Sequence, residues 1–193
     1  PGETFSLLKS LSAELQVYII GGSIPEAISK SSKIYNTCLC FDRKGNLAVK
    51  HRKLHLMDVN LKDSTKFRES VFIVPGKAGY SVLKTEFGNI GIGICRDIRP
   101  PEYTMILAKK YKCNLVVFPS NFSISVLGQC HWQVFKCFRA VDSQIFLAGC
   151  CSAKNVEEPD NFQAFGHSGI YNSWGLPLAE CESQEMIIYS DIY

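Results

Sequence analysis

The sequence predicts an α/β fold with helices on the outer face of two packed sheets, and three observations carry that prediction. Stretches with helical spacing of apolar residues alternate with short extended ones. The second half runs strand–helix–strand with near-continuous apolar strands, the pattern of a sheet covered by helices. The chain has 193 residues, enough for one domain that hides roughly 70% of its extended-chain surface without metal or disulfide staples.

The elements follow in order. Residues 3–14 read as a helix: Gly2 precedes it, Glu3 lies in its first turn, and Phe5, Leu7, Leu8, Leu11 and Leu15 recur at helical spacing. Residues 16–22 are β-branched and apolar, a buried strand closed by Gly21-Gly22, and 23–26 read as a loop. Residues 34–41 and 47–51 flank the polar turn Asp42-Arg43-Lys44-Gly45-Asn46, a hairpin signal. A second hairpin signal joins 80–85 to 90–94 through Glu86-Phe87-Gly88-Asn89, and 52–79 read as a long irregular segment. A helix is expected from Pro101 to about residue 111, since proline suits a first turn. Then come a strand at 115–118, a helix at 129–143 and a strand at 145–150. The tail, 166–192, reads as two or three strands with a turn at Asn172-Ser173-Trp174-Gly175.

Composition excludes several classes. A hydrophobic fraction of 46% with 20% charged residues is not that of a disordered chain. The net charge of +3 is too thin and too scattered for a nucleic-acid binder. No run approaches the roughly 20 apolar residues that cross a bilayer, and residues 1–5 lack the basic and apolar regions of a signal peptide. The chain begins without Met, as a fragment or a processed product would. Nine cysteines without a Cys-x-x-Cys pair suit neither a small secreted disulfide scaffold nor a zinc site. Most are expected to be reduced thiols acting as small apolar residues, with at most one carrying chemistry. No metal and no cofactor is expected.

Two local features could hold that chemistry. In Gly91-Ile92-Gly93-Ile94-Cys95-Arg96-Asp97, a glycine-punctuated strand ends at a cysteine and turns toward a helix. Ligands of α/β sheets bind at such strand ends, where exposed amides and the charge of Arg96 would favour a thiolate. Cys95 also reads as one more buried apolar residue. In His51-Arg52-Lys53-Leu54-His55-Leu56, Lys53 could stabilise a developing oxyanion, or belong to a solvated basic edge. His51 and His55 lack a third ligand nearby. Arg139 and Asp142 read as a local i, i+3 pair, Trp132 and Phe135 as helix-face core, and His167 as pocket-lining or structural.

Together and in this order, these residues resemble the nitrilase superfamily of carbon–nitrogen hydrolases, within it the ω-amidase branch. The resemblance takes in Tyr35-Asn36-Thr37, the Lys53 motif, Phe67-Arg68-Glu69-Ser70 and Gly93 to Arg99 with Glu102. It continues through His131-Trp132, Arg139-Ala140-Val141-Asp142 and Gly166-His167-Ser168, and so spans essentially all 193 residues. It implies an α-β-β-α sandwich, here without its first strand and helix, and one carbon–nitrogen hydrolase domain over 1–193, incomplete at both ends.

The resemblance also implies roles. Cys95 is the nucleophile, Lys53 the oxyanion group and Glu69 the positioning glutamate, while Arg96, Arg99 and Glu102 form the substrate-binding set. Glu102 reads more readily as a helix-start anchor or a partner of Arg99 than as a site carboxylate. The substrate class is the ω-amide of short dicarboxylates such as 2-oxoglutaramate and 2-oxosuccinamate; related branches cleave nitriles, carbamoyl amino acids or β-ureido acids.

Three departures stand out. Arg96 replaces the usual aromatic, Pro100-Pro101 replaces a softer pair, and the general-base glutamate of the family lies upstream of Pro1, since Glu3 belongs to a helix start. Low or absent activity in isolation is therefore expected, and a non-catalytic subunit or a thiol-reactive redox module are the competing readings. The expected partners are a small-molecule amide and, once the fold is complete, a second copy of the chain, with no nucleic acid and no membrane. The expected location is the cytoplasm, or else mitochondria.

Overall fold

A computed structural model describes residues 2–29, 31–60, 66–157 and 162–193. The chain divides into two compact units, Pro1–Leu83 and Lys84–Tyr193.

The first unit opens with α1 (Glu3–Leu15), which ends where Gln16 turns left-handed and its N–H reaches the Ser12 carbonyl. Behind it lies an antiparallel sheet ordered β1 (Ile19–Ala27), β2 (Ile34–Phe41) and β3 (Leu47–Arg52). The central strand is the most apolar, and Cys38, Leu39, Cys40 and Phe41 are buried, with Phe5 edge-on to the Phe41 ring at 5.2 Å. The structure corrects the expected loop at 23–26. β1 continues through Pro25 to Ala27, with an irregular register between Ile20 and Ser23. It is an edge strand, where proline's missing N–H costs no ladder bond and a bulge at Gly21-Gly22 is tolerated.

The predicted irregular segment also gains structure. β4 (Asp58–Asn60) pairs with β5 (Lys66–Arg68), and a 3₁₀ turn, Glu69–Val71, follows. Residues 61–65 of that segment lie outside the described residues.

The division between the units falls inside β6 (Ser81–Thr85). The second unit is built on a six-stranded sheet. Its strands run in the order β11 (Pro177–Glu180), β10 (Gly169–Tyr171), β9 (Phe146–Cys151), β8 (Cys113–Ser120), β7 (Gly88–Ile92), β6. β7, β8 and β9 are parallel, while β9, β10 and β11 are antiparallel. The helices α2 (Pro101–Lys109) and α3 (Val126–Ser143) supply the crossovers. β8 is longer than the predicted 115–118 and contains Pro119. Val117 presents its carbonyl to Gly93. Pro119, two residues on, faces the same side, past the end of β7, where no ladder donor is needed. α3 starts a turn earlier than predicted because Ser125 caps it, its hydroxyl accepting the Gly128 N–H at 3.2 Å. In the tail the described residues after Glu180 form no strand.

The turns predicted at Asp42 and at Asn172 are present and share one design. Asp42 Oδ1 accepts from the N–H of Lys44 (2.9 Å) and Asn46 (2.8 Å). Asn172 Oδ1 accepts from Trp174 (3.0 Å) and Leu176 (3.1 Å). In each, a glycine three residues later sits at positive φ. No helix among the described residues is long and apolar enough to cross a membrane.

Candidate active site

The candidate residues fall in both units, and each group is built by its own local structure.

In the first unit Lys53 directly follows β3. Its N–H donates to the Asn36 carbonyl (2.9 Å), and its own carbonyl accepts from Gly76 N (2.8 Å). Only glycine fits at 76, since a Cβ there would come within 2.3 Å of the Arg52 carbonyl oxygen. Glu69 opens the 3₁₀ turn. Its N–H donates to the Met57 carbonyl (3.0 Å), and its Oε2 accepts from the Met57 N–H (2.6 Å). The two side chains meet: Lys53 Nζ lies 2.9 and 2.7 Å from the two Glu69 oxygens, with side chains only 4% and 8% exposed. Sixteen residues separate them, and burial this deep makes each charge dependent on the other.

The strand end that carries Lys53 is further tied by Glu26, which the sequence reading treated as loop. Its carboxylate accepts from Thr37 Oγ1 (2.7 Å), Lys50 Nζ (2.9 Å), Arg52 Nε (2.8 Å) and Arg52 Nη2 (2.7 Å), so one side chain crosslinks three strands. The Arg52 guanidinium chiefly holds this carboxyl down to about 2, against the opposing effect of burial. Arg52 also stacks over Tyr35 at 4.0 Å. His51 is fully buried with Nδ1 3.0 Å from Ser81 Oγ, a structural role. An open groove of about 490 Å³ along α1 and β1 is lined by Phe5, Ile24, Leu39 and Leu47 and contains neither Lys53 nor Glu69.

In the second unit Cys95 stands just beyond the carboxyl end of β7 as the first residue of a 3₁₀ turn, Cys95–Ile98. It is half-buried, and its φ of 47° is left-handed, a conformation costly for a side-chain-bearing residue and concentrated at functional sites. The turn is held from inside, because the Asp97 carboxylate accepts from Ile94 N at 2.9 Å and Asp97 N donates to the Ile94 carbonyl at 3.0 Å. Gly93 is required beneath it: a Cβ would come within 2.4 Å of the Phe118 ring and 2.9 Å of Tyr103. Tyr103 in turn donates its hydroxyl to the Ile92 carbonyl at 2.6 Å, fastening α2 to the strand end.

Arg96 is half-buried in the turn, and Arg99 follows it. Burial and then the charge of Arg96 push the Arg99 guanidinium down, while the Cys95 sulfur acts in the opposite sense, so the two are within electrostatic reach. Arg99 lies over the Phe135 ring at 5.1 Å. Glu102 is exposed in the first turn of α2 and exerts its charge on Arg139. The Arg139–Asp142 pair predicted from spacing is present at 3.2 Å. His167 has structural surroundings: it stacks on Phe165 at 4.0 Å and sits 3.3 Å from Gln133 Nε2. Trp132 is fully buried, as read from its helix face.

Sequence reasoning missed Lys136. It is fully buried on α3 and donates to the His167 carbonyl (2.5 Å) and to Glu180 Oε1 (3.0 Å), between the rings of Trp132 and Tyr171. The signal was periodicity, because residue 136 lies four from both Trp132 and Ala140, inside the apolar stripe. The thiols also sort by place. Cys38, Cys40, Cys113, Cys151 and Cys181 are buried, Cys130 and Cys150 exposed, and Cys95 and Cys137 between. Burial pushes Cys113 up to about 11 and raises Cys151; for Cys40 the Cys38 thiol and then burial act the same way. Among the described residues, no three His, Cys, Asp or Glu side chains are grouped to hold a metal.

Known proteins resemble this arrangement along its whole length. The family model for carbon–nitrogen hydrolase matches residues 1–193. The "Nitrilase homolog 2" of Dictyostelium discoideum is 41% identical over 191 residues, 99% of this chain and 57% of that protein. The "Omega-amidase NIT2" of Bos taurus is 40% identical over 192 residues, all of this chain and 67% of that protein. Among solved structures, Saccharomyces cerevisiae Nit3, described as a member of branch 10 of the nitrilase superfamily, superposes with a TM-score of 0.84 at 34% identity. That match covers 96% of this chain and 63% of the yeast chain. The chain thus spans between about half and two thirds of the length of these relatives.

Proposed function

Because the chain belongs to the carbon–nitrogen hydrolase family, we propose that it serves the hydrolysis of a non-peptide carbon–nitrogen bond, the ω-amide of a short dicarboxylate such as 2-oxoglutaramate or 2-oxosuccinamate. Cys95 is the nucleophile, and the observation that carries this role is its left-handed backbone at the end of a parallel strand. None of the other eight cysteines has a positive φ. The sulfur adds to the amide carbonyl, the carbon–nitrogen bond breaks, and ammonia leaves with the thiol's proton. Water then cleaves the thioester to release the carboxylate and restore the thiol. Lys53 carries the charge that stabilises the tetrahedral oxyanion, and Glu69 fixes the ammonium by its two short bonds. The resemblance assigns the proton relay to a glutamate other than Glu69.

The substrate's distal carboxylate would pair with a guanidinium, and Arg99 and Arg96 are the candidates, with Glu102 completing the set on the next helix. The ω-amidases among the relatives support this substrate class. A second copy of the chain is the proposed partner, supported by the exposed Val134, Phe138 and Val141 on one face of α3. The cytoplasm or mitochondria are the proposed locations.

The test is ammonia release from 2-oxoglutaramate, run beside Cys95→Ala. Low release that the substitution abolishes is the expected result. No release from either protein overturns the assignment in favour of a non-catalytic subunit, and equal release from both removes Cys95 from the nucleophile's role.

A further inference from the structure

Arg139 is buried, 6% exposed, on α3. Its pairing with Asp142 accounts for one guanidinium nitrogen only. The other contacts point elsewhere: Nε donates to the Ile98 carbonyl at 2.8 Å and Nη2 to the Arg99 carbonyl at 2.5 Å. These carbonyls close the 3₁₀ turn that begins at Cys95, and the last carbonyls of a helical turn have no partner within it. A guanidinium is a rigid planar fork, able to hold two successive carbonyls at once, which a lysine ammonium cannot do in the same geometry. Arg139 and Arg99 also share the Phe135 ring, at 5.3 and 5.1 Å. The backbone of Arg99 and the ring its side chain lies over are therefore both in contact with one buried residue.

We propose that Arg139 is a positioning residue: by gripping the carbonyls of Ile98 and Arg99 it sets where the Arg99 guanidinium stands with respect to Cys95, and so sets the preference of the site for anionic substrates. This rests on the amidase assignment for its purpose but not for its test. Burial lowers Arg139's proton affinity while Asp142 and Glu102 counter it, in keeping with a cation retained inside at a cost.

Alkylation of Cys95 reads the arrangement without any hydrolysis. Iodoacetate and iodoacetamide each form a sulfur–carbon bond and release iodide; they differ in charge. The ratio of their rates at Cys95, followed by peptide mapping, reports the cation beside the sulfur. Arg99→Gln should lower the ratio a few-fold, the order of effect of one nearby unit charge in water-like surroundings. Arg139→Gln and the milder Arg139→Lys should fall toward the Arg99→Gln value. Leu147→Val, a buried core change on β9 that alters no charge, should keep the wild-type ratio. Arg139 variants that melt earlier yet retain the wild-type ratio make Arg139 purely structural and overturn the proposal, as does an Arg99→Gln ratio equal to wild type. A changed ratio without ammonia release from 2-oxoglutaramate upholds the positioning role and removes the amidase assignment instead.

Discussion

Two buried lysines, one in each unit, show how the same side chain can be spent differently. Lys53 gives two bonds to a single carboxylate that is itself buried, at the end of a strand and beside a 3₁₀ turn. Lys136 divides its donors between a backbone carbonyl and a carboxylate that is 31% exposed, and is enclosed by two aromatic rings. Burial pushes the Lys136 ammonium down, and Glu180 only partly restores it. Lys136 is committed to closing the 166–168 turn and the last strands onto α3. Lys53 and Glu69 form a self-contained charged unit, which suits a group that must present charge to a reacting oxygen.

Substitution should separate the two most sharply through activity. Lys53→Met is expected to lower ammonia release by about 10² to 10³-fold, the usual effect of removing one oxyanion donor, while Lys136→Met leaves the rate per folded molecule close to wild type. A steady-state assay normalised by Cys95 labelling decides this, and equal losses would erase the distinction. In stability the order should be the same, with Lys53→Met costing about 3–5 kcal/mol because it strands the buried Glu69 carboxylate. Lys136→Met leaves Glu180 and the His167 carbonyl without their cation and should cost about 2–3 kcal/mol in urea unfolding, less than a fully buried pair because Glu180 reaches solvent.

Acid should weaken the first unit through Glu26. Its folded carboxyl lies at about 2, below the ordinary 4.5, chiefly through Arg52. A carboxyl depressed on folding adds stability above its unfolded value and loses it as pH falls through the folded one. The gap in urea midpoint between wild type and Glu26→Gln should accordingly be full above 4.5 and close as pH approaches 2. Glu180 lies in the same direction, since the Tyr171 hydroxyl and Lys136 outweigh its burial, so Glu180→Gln is the matching probe in the second unit. A gap that widens in acid would contradict both. The smallest effects belong to the twin turns. Asp42→Ala and Asn172→Ala should each lower the melting temperature slightly, and a clear inequality between them would show that the units differ in how far a turn limits their stability.

Much of the framework was legible because it is local. The spacing of Phe5, Leu8 and Leu11, the Pro101 start of α2 and the Asx-x-x-Gly turns are set within a few residues. Cys95 was legible as a strand-end cysteine because Gly91 and Gly93 punctuate the strand before it. β1 was misread where local signals were overruled: Gly21-Gly22 and Pro25 look like an ending, but an edge strand has room for both. The pairing of Lys53 with Glu69, the crosslink at Glu26 and the hold of Arg139 on residues 98 and 99 join residues 11 to 41 positions apart.

By itself, the order of residues determined the helices, most of the strands, the turns at Asp42 and Asn172 and which family motifs the chain carries. Those depend on periodicity and on backbone preferences that act over one or two turns. Tertiary structure alone decided which charges are buried together and which guanidinium grips which carbonyl. An ammonium out of water is tolerable only where a distant segment delivers its partner, and that delivery depends on the packed fold.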